Sequence, residues 1–338
     1  MKSQAFQVHK IVKGGNHAGH CMQKRTLKSE GRIHVHSCDV GPLPISIVFL
    51  CRIRNSDGVG YVHESCRISH MNEKLLWIDS HAHLTMFPRD EVAGVLDRAA
   101  SKGVGGVLVP ATNSDDLDVV VGLAGDFPSR VVAAVGVHPH DAASLDSVLK
   151  RRIEASLERE EVVAVGEIGL DYHYMNSPRE DQVNALEWQL DLALAARMPV
   201  ILHNRESWSD LEPLLRSRQG RLRGVCHSFA EGPQEALSVI EMGLWIGISG
   251  MVTFKAAENI REMVAVLRHD RVLVETDSPF LAPVPHRGKS NEPSFVPLVG
   301  QRLAEEWKKP VEEVAALSTS GFQKLFEVGV GWPNSNEN

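Results

Sequence analysis

The stretch that decides the fold is LLWIDSHAH, residues 75–83, in which an apolar run ends on two histidines separated by one residue. Successive side chains of a strand point to opposite faces, so residues two apart point the same way. His81 and His83 therefore aim two imidazole rings in one direction just past a predicted strand. We interpret the pair as half of a metal site. Two polar neighbours without a shared role are the alternative, so this interpretation depends on the residues that follow.

Seven more short apolar runs follow in order, and they are rich in valine and isoleucine. They are residues 104–109, 131–137, 162–166, 200–202, 224–226, 244–248 and 272–275. Continuous apolar runs of this length are typical of strands that are buried on both faces, as in a parallel sheet. Polar side chains stand at the ends of these runs.

Helical patterns separate the runs. Residues 178–197 carry Val183, Leu186, Leu190 and Leu194 at helical spacing, and residues 88–103 begin with proline and acids and end at a glycine. Eight strands alternating with helices over about 250 residues predict an α/β protein with a (β/α)8 TIM-type barrel. A doubly wound open sheet is the alternative. In such barrels the active site lies at the carboxyl ends of the strands.

Six candidate metal ligands fall at these strand ends: His81, His83, Glu167, His203, His227 and Asp277. Any one histidine could be an ordinary core or loop residue, but together they predict a metal site. Imidazoles and carboxylates suit zinc, manganese, magnesium or iron. Six ligands are too many for one tetrahedral ion. They fit two divalent ions that share a bridging carboxylate, and Glu167, on the middle strand of the set, is the natural bridge.

Charge and cysteine content divide the chain near residue 70. Residues 1–70 contain ten Lys/Arg and four Asp/Glu, a net charge of +6, whereas the rest carries −13; four of the five cysteines also lie in this first segment. We predict a disordered extension of unknown role over residues 1–70, a natural start at Met71, a barrel domain over 71–330 and a tail at 331–338. A small zinc module and a transit peptide are the alternatives for the extension.

The predicted barrel domain has one thiol, Cys226. A lone thiol favours a reducing, cytoplasmic location and argues against a disulfide framework. No apolar stretch approaches the ~20 residues needed to cross a membrane, so we expect no membrane partner. The acidic barrel lacks the basic footprint of most nucleic-acid binders. This argues against tight binding of extended duplex but allows cleavage at the end of a strand.

Several motifs resemble those of the TatD family of metal-dependent deoxyribonucleases. They are WIDSHAHL (77–84), GVHPH (136–140), GEIGLDY (166–172), PVILHNR (199–205), GVCHSF (224–229), ETDSPFL (275–281) and PHRGKSNEP (285–293), in family order over residues 75–327. The chain departs from the family pattern directly after Phe229, and at Gly321, where the closing helix usually carries asparagine.

The resemblance implies an amidohydrolase-like barrel with two metal ions, here Mg, Mn or Zn. It implies one ion at His81, His83, Glu167 and Asp277, and a second at Glu167, His203 and His227. It also implies that Asp277 deprotonates the attacking water and that His138 contacts the scissile phosphate. We therefore expect hydrolysis of phosphodiester bonds in DNA, from the 3′ end of single strands. The alternatives are an amide or ester hydrolase of the same class, such as a D-aminoacyl-tRNA deacylase, and a non-catalytic binding scaffold.

Four further residues are candidates for the surroundings of the site. Asp171 could line the pocket or hydrogen-bond to neighbouring backbone, and Arg205 could contact a phosphate or form a structural ion pair. Arg287 could contact substrate or lie in a solvated loop. Phe280 could stack on a base.

Overall fold

The structure of the protein is a computed structural model, and it describes residues 8–11, 48–55, 58–63 and 76–328. The chain divides into two compact units, Met1–Glu73 and Lys74–Asn338. In the first unit, β1 (Val8–Ile11), β2 (Val48–Asn55) and β3 (Gly58–His63) form an antiparallel sheet in that order. These strands lie in the segment for which the sequence predicts disorder. The rest of that segment up to residue 70, and the predicted tail at 331–338, lie outside the described residues.

The second unit is built on a sheet of eight parallel strands in sequence order. The strands are β4 (Trp77–Asp79), β5 (Val104–Pro110), β6 (Val131–Val135), β7 (Val162–Asp171), β8 (Val200–Arg205), β9 (Gly224–Cys226), β10 (Trp245–Ile248) and β11 (Val272–Val274). The first and last strands are joined by backbone hydrogen bonds, from Ser80 N to Val274 O (3.1 Å) and from Asp277 N to His81 O (2.9 Å). The predicted (β/α)8 barrel is confirmed, and the open sheet is excluded.

One α-helix follows each strand from β4 to β10, and two follow β11. The helices are α1 (Val92–Ser101), α2 (Leu117–Asp126), α3 (Ser147–Ser156), α4 (Arg179–Ala196), α5 (Trp208–Arg216), α6 (Pro233–Glu241), α7 (Glu258–Val266), α8 (Val296–Trp307) and α9 (Val311–Phe326). Local chemistry sets their starts: the Asp146 carboxylate accepts from the first amides of α3, and Pro233 opens α6. Within the described residues, no helix is long and apolar enough to cross a membrane.

Short 3-10 helices lie in the connections. They are Leu84–Met86, Arg89–Glu91, Pro139–Ser144, Gly250–Thr253, His269–Arg271 and Pro293–Phe295. Three of them directly follow the carboxyl ends of β4, β6 and β10, and so belong to the loops that carry the functional face of a barrel.

One apolar cluster fills the inside of the barrel, and every strand contributes to it. Its members include Ile78, Leu108, Val132, Ala164, Ile201, Val225, Trp245 and Leu273, and α9 adds Phe322 and Phe326. The larger clusters lie between the strands and the surrounding helices. The interior is therefore a packed core, which leaves the chemistry to the ends of the strands.

The most informative difference from the predicted strands is in β7, which continues five residues beyond Gly166. Its register with β8 shifts between Val165 and Ile168, an irregularity that contains Glu167. A bulge of this kind re-aims side chains, and bulges are frequent beside active sites. Gly166 is required here because a Cβ would lie 2.7 Å from the Cβ of Ile201 on the neighbouring strand.

Candidate metal centre

The first group of potential ligand atoms lies where β4 and β11 end. Nε2 of His81 and Nε2 of His83 are 3.2 Å apart. Oδ1 of Asp277 lies 3.4 Å from Nε2 of His83, and Oε2 of Glu167 lies 3.2 Å from Nε2 of His81. The side chain of Asp277 is 14% exposed, whereas that of Glu167 is 2% exposed, so Asp277 is the carboxylate of this group that faces the opening.

The second group surrounds the other oxygen of Glu167. Oε1 of Glu167 lies 2.8 Å from Nε2 of His227 and 3.0 Å from Nδ1 of His203. Those two ring nitrogens are themselves 3.3 Å apart. Glu167 therefore presents one carboxylate oxygen to each group.

These residues fit divalent metal ions. In a tetrahedral site with bonds of about 2.0–2.2 Å, neighbouring ligand atoms are about 3.3–3.6 Å apart, close to the separations in both groups. Oε2 of Glu167 is buried without a hydrogen-bond donor among the described residues. A buried carboxylate oxygen without a partner is costly, and a cation would remove that cost. Facing ring nitrogens in each group likewise offer lone pairs to a common ion.

The backbone across the closure of the barrel fixes the first group. Besides the bond from Asp277 N to His81 O, His83 N donates to Ser278 O at 2.8 Å. Asp277 adopts a left-handed backbone conformation with φ of 57°. Such a conformation is unusual for a residue other than glycine and is held here by the surrounding hydrogen bonds. The Asp277 side chain thereby meets histidines from the other end of the barrel sequence.

Asp171 stands behind the second group. Its Oδ2 lies 3.1 Å from Nε2 of His203 and 3.0 Å from Nε2 of His140. Its Oδ1 accepts from the backbone amides of His173 and Tyr174. A carboxylate that accepts a hydrogen bond from one ring nitrogen keeps the proton on that nitrogen and leaves the lone pair of the other free for a metal. The backbone hydrogen bonds considered for Asp171 are therefore observed, and its other oxygen contacts two histidines of the site.

Glu275 has the matching place behind His227. The carboxylate is fully buried, its Oε1 lies 3.5 Å from Nδ1 of His227, and it accepts from the amide of Ser228 at 2.5 Å. Burial lowers the pKa of the His227 ring, but Glu167 and Glu275 outweigh burial and raise that pKa well above its usual value. Glu275 was not among the predicted site residues; a carboxylate within a buried apolar run was the available signal.

Asp79 is a further buried carboxylate beside the site and, like Glu275, was not among the predicted site residues. It accepts from Oγ1 of Thr276 at 2.5 Å, from Thr276 N at 2.9 Å and from His81 N at 3.3 Å. Burial raises its pKa well above the usual value, against these hydrogen bonds. Asp79 thus ties the residue before Asp277 to His81.

His138 lies beside the second group, with Nε2 3.4 Å from Oε1 of Glu167. Its Nδ1 accepts from the backbone amide of His140 at 3.1 Å. Burial lowers the pKa of His138 to about 4, so the ring is neutral near pH 7. A neutral ring whose Nδ1 accepts carries its proton on Nε2. Although the distance alone would admit His138 as a ligand, this tautomer makes it a hydrogen-bond donor to the site.

The structure brings all six predicted ligands into the two groups, with His138 next to them. Arg205 lies with its guanidinium 4.8 Å from the ring centre of Tyr174, and Arg287 lies 3.7 Å from that of Phe254. Among the described residues, neither arginine forms an ion pair with a carboxylate. Arg205 instead packs its guanidinium on the Tyr174 ring, so the structural ion pair considered for it is not observed.

A closed β/α barrel whose strand ends carry such a carboxylate-linked cluster of histidines is the architecture of a metal-dependent hydrolase. A family model described as TatD related DNase matches residues 78–327. The chain belongs to this family, and it is a metal-dependent hydrolase of it.

Individual relatives agree with this assignment. A Bacillus subtilis protein named uncharacterized metal-dependent hydrolase YabD is 33% identical over 252 residues, which cover 74% of this chain and 98% of that protein. A Pantoea vagans protein named 3′-5′ ssDNA/RNA exonuclease TatD is 33% identical over 240 residues, covering 69% and 92%. The crystal structure of YjjV, a TatD homologue from Escherichia coli, matches with a TM-score of 0.71 and 33% identity over 75% of this chain and 98% of that one.

Proposed function

We propose that the protein hydrolyses phosphodiester bonds in DNA, from the 3′ end of single strands, at a two-metal centre. The observation that carries this proposal is the position of Glu167, whose two oxygens face two adjoining groups of ligand atoms. A shared carboxylate is the usual way to hold two ions close together, and paired ions are common in enzymes that cleave phosphodiesters.

His81, His83, Glu167 and Asp277 would hold one ion, and Glu167, His203 and His227 the other. When bound, such ions supply a water of lowered pKa and positive charge next to the phosphate oxygens. Magnesium, manganese and zinc are all compatible with this mixture of imidazole and carboxylate.

Asp277 would accept the proton of the attacking water. Burial raises its pKa, but the hydrogen bond with His83 and the neighbouring histidines lower it below the usual value. It is therefore ionised near pH 7 and free to act as a base. His138, with its proton on Nε2, would donate a hydrogen bond to a phosphate oxygen. Glu167 is too enclosed to contact substrate, which leaves it the role of holding the two groups together.

Two features support a single strand as substrate. Residues 71–338 carry a net charge of −13, which disfavours a long duplex interface. The Pantoea vagans relative is named for activity on single-stranded DNA and RNA from the 3′ end.

The lone thiol of the barrel, Cys226, supports action in the reducing cytoplasm.

The test is cleavage of a 5′-labelled single-stranded DNA oligonucleotide by the purified full-length protein. The reaction is run with Mg²⁺ or Mn²⁺, with chelator, and with the Glu167→Gln variant. A ladder of shortened products that requires the metal and is absent from the variant is expected. The matched control is Glu180→Gln, an exposed glutamate at the start of α4, which should cleave as the wild type does.

Other outcomes separate the alternatives. A protein that binds metal but leaves every oligonucleotide intact would contradict the proposal and favour an amide or ester substrate, for which D-aminoacyl-tRNA is the next to be tried. Cleavage that persists in chelator and in Glu167→Gln would come from a contaminant. If a variant that no longer binds metal still performs the function of the protein in the cell, a binding scaffold would be favoured.

A further inference from the structure

Two exposed aromatic side chains border the metal centre. Tyr174 is 54% exposed and Phe280 is 49% exposed, and within residues 76–328 no other Phe, Tyr or Trp reaches this exposure. The ring of Phe280 lies 6.1 Å from that of His83, in the first group. The ring of Tyr174 lies 5.4 Å from that of His140, which shares Asp171 with His203 of the second group. One aromatic ring therefore borders the first group directly, and the other borders the second group through His140.

Other exposed apolar side chains collect at the same face. Of nine large hydrophobic side chains that are exposed in the barrel, five lie in the loops after β4, β7 and β11: Met86, Tyr174, Met175, Phe280 and Val284. The other four are spread over separate helices. Scattered exposed hydrophobics are ordinary on a protein surface, but a concentration of them at the mouth of a site indicates contact with a ligand.

Both aromatic residues are fixed relative to the centre. The amide of Tyr174 donates to Oδ1 of Asp171 at 2.9 Å, and the amide of Phe280 donates to the carbonyl of Asp277 at 2.9 Å. Nδ2 of Asn291 also donates to the carbonyl of Phe280 at 2.6 Å. Each aromatic residue thus stands three positions after an acidic residue of the site, and its backbone amide is bonded to the carboxylate of Asp171 or to the main-chain carbonyl of Asp277. Backbone that is anchored in this way does not have to be ordered when a ligand stacks on the side chain.

A cation accompanies one of the rings. The guanidinium of Arg205 lies 4.8 Å from the centre of the Tyr174 ring, and Arg205 is exposed at the end of β8. A planar cation on an aromatic ring can extend the stacking surface and meet a phosphate at its edge. The combination of exposed rings and a cation is typical of sites for single-stranded nucleic acid.

We propose that Tyr174, together with Arg205, and Phe280 each stack on an unpaired base, on the two sides of the phosphate that is cleaved. This rests on the proposed function, and it names the recognition element of that site. Base faces are hidden within a duplex, so the two rings select unpaired ends over paired ones. Because every base has a π-face, the selection does not depend on sequence, and it admits RNA as well as DNA.

The experiment compares substrates that lack single bases. Full-length wild type, Tyr174→Leu and Phe280→Leu are assayed on a DNA oligonucleotide with all bases, with an abasic terminal nucleotide, and with an abasic penultimate nucleotide. For the wild type, removal of either base should lower kcat/KM about tenfold or more. On the substrate with all bases, kcat/KM of each leucine variant should fall by a similar factor. It should fall no further when the base that stacks on the replaced ring is removed.

Three controls accompany the assay. Tyr174→Trp and Phe280→Tyr keep a ring and should retain the wild-type preference. Leu237→Ala, an exposed apolar side chain on α6, should behave as the wild type on every substrate. An RNA oligonucleotide of the same sequence tests whether the sugar matters, since stacking alone does not distinguish the two.

A binding measurement separates this inference from the proposed function. An oligonucleotide with 2-aminopurine at the terminal or penultimate position is titrated with protein in chelator, and stacking on a ring should quench its fluorescence in the wild type but not in the matching leucine variant. Quenching without any cleavage under metal would keep the stacking and overturn the proposed function. If the protein cleaves DNA but removal of a base lowers kcat/KM equally in the wild type and in the leucine variants, the stacking is overturned and the proposed function is kept. Neither quenching nor cleavage would overturn both.

Discussion

Gly321 of α9 lies against the indole of Trp245, the first residue of β10, so closely that a Cβ would be 2.5 Å from Cζ3 of the ring. Trp245 is buried in the cluster that fills the barrel, and α9 contributes Phe322 to the same cluster. This contact accounts for one departure from the family pattern, because an asparagine at 321 would collide with the indole.

Gly321→Ala is therefore expected to destabilise the protein by about 1–3 kcal/mol, since the added methyl group overpacks a buried site. Urea unfolding followed by circular dichroism measures this. Gly122→Ala in α2 is the matched control: it has open space around the added carbon and should stabilise by up to about 1 kcal/mol through helix propensity. If both variants lose the same stability, packing against Trp245 is not the cause. Measured in a Trp245→Leu background, Gly321→Ala should cost less than it does in the wild type, because the indole that it overpacks is gone.

Asp171→Asn should weaken the metal site without unfolding the barrel. The amide retains an acceptor for the backbone, but its nitrogen can donate to Nε2 of His203, which moves the ring proton to Nδ1 and removes the lone pair that faces Glu167. Loss of such a supporting carboxylate typically costs about 10–100-fold in metal affinity. Competition with a fluorescent chelator measures the affinity, with Glu180→Gln as control. An unchanged affinity would show that the 3.1 Å contact between Asp171 and His203 does not orient the ring.

Glu275→Gln tests the corresponding carboxylate behind His227. The change keeps the shape of the side chain and removes the charge that favours a proton on Nδ1, so metal affinity should fall by about 10–100-fold. Nitrogen NMR of the histidine rings should report a changed tautomer for His227 and no change for His138. If the His227 signals stay as in the wild type, Glu275 supports the Ser228 amide and the Ser80 hydroxyl and does not set the His227 tautomer.

The thiol of Cys226 should be inert in the native protein. Burial raises its pKa from about 9 to about 12. The folded state therefore binds the proton more tightly than the unfolded state, and this contribution to stability is present below about pH 9 and is lost as the pH rises towards 12. Iodoacetamide at pH 8, followed by mass spectrometry of the tryptic peptide, should leave Cys226 unmodified unless urea is added. Rapid labelling of the native protein would contradict a buried, structural cysteine.

Removal of Met1–Glu73 should leave metal-dependent activity intact. The barrel unit begins at Lys74, and the matched part of the chain already spans 98% of the length of the YabD relative. The expected result is unchanged kcat/KM and unchanged metal content for residues 74–338, measured beside the full-length protein. A folded truncation that has lost activity would assign residues 1–73 a part in the reaction.

Much of the site follows from the sequence because strand period and strand ends are local properties. Each of His203 and His227 comes directly after a short apolar run, and a parallel barrel gathers such positions on one face. The supporting carboxylates were harder to identify. Asp171 lies five residues past the predicted end of its strand, since β7 continues through an irregularity that no local pattern marks.

The sequence by itself determined the eight strands, their order around the barrel, and the residue types at their carboxyl ends, because alternation and helical spacing are properties of short segments. Only the tertiary structure decided which side chains meet. His81 and Asp277 are neighbours because the first and last strands join when the barrel closes. Glu167 faces both groups because β7 shifts its register against β8. Tautomers and supporting contacts depend on side chains from distant segments, and nothing within a single segment specifies them.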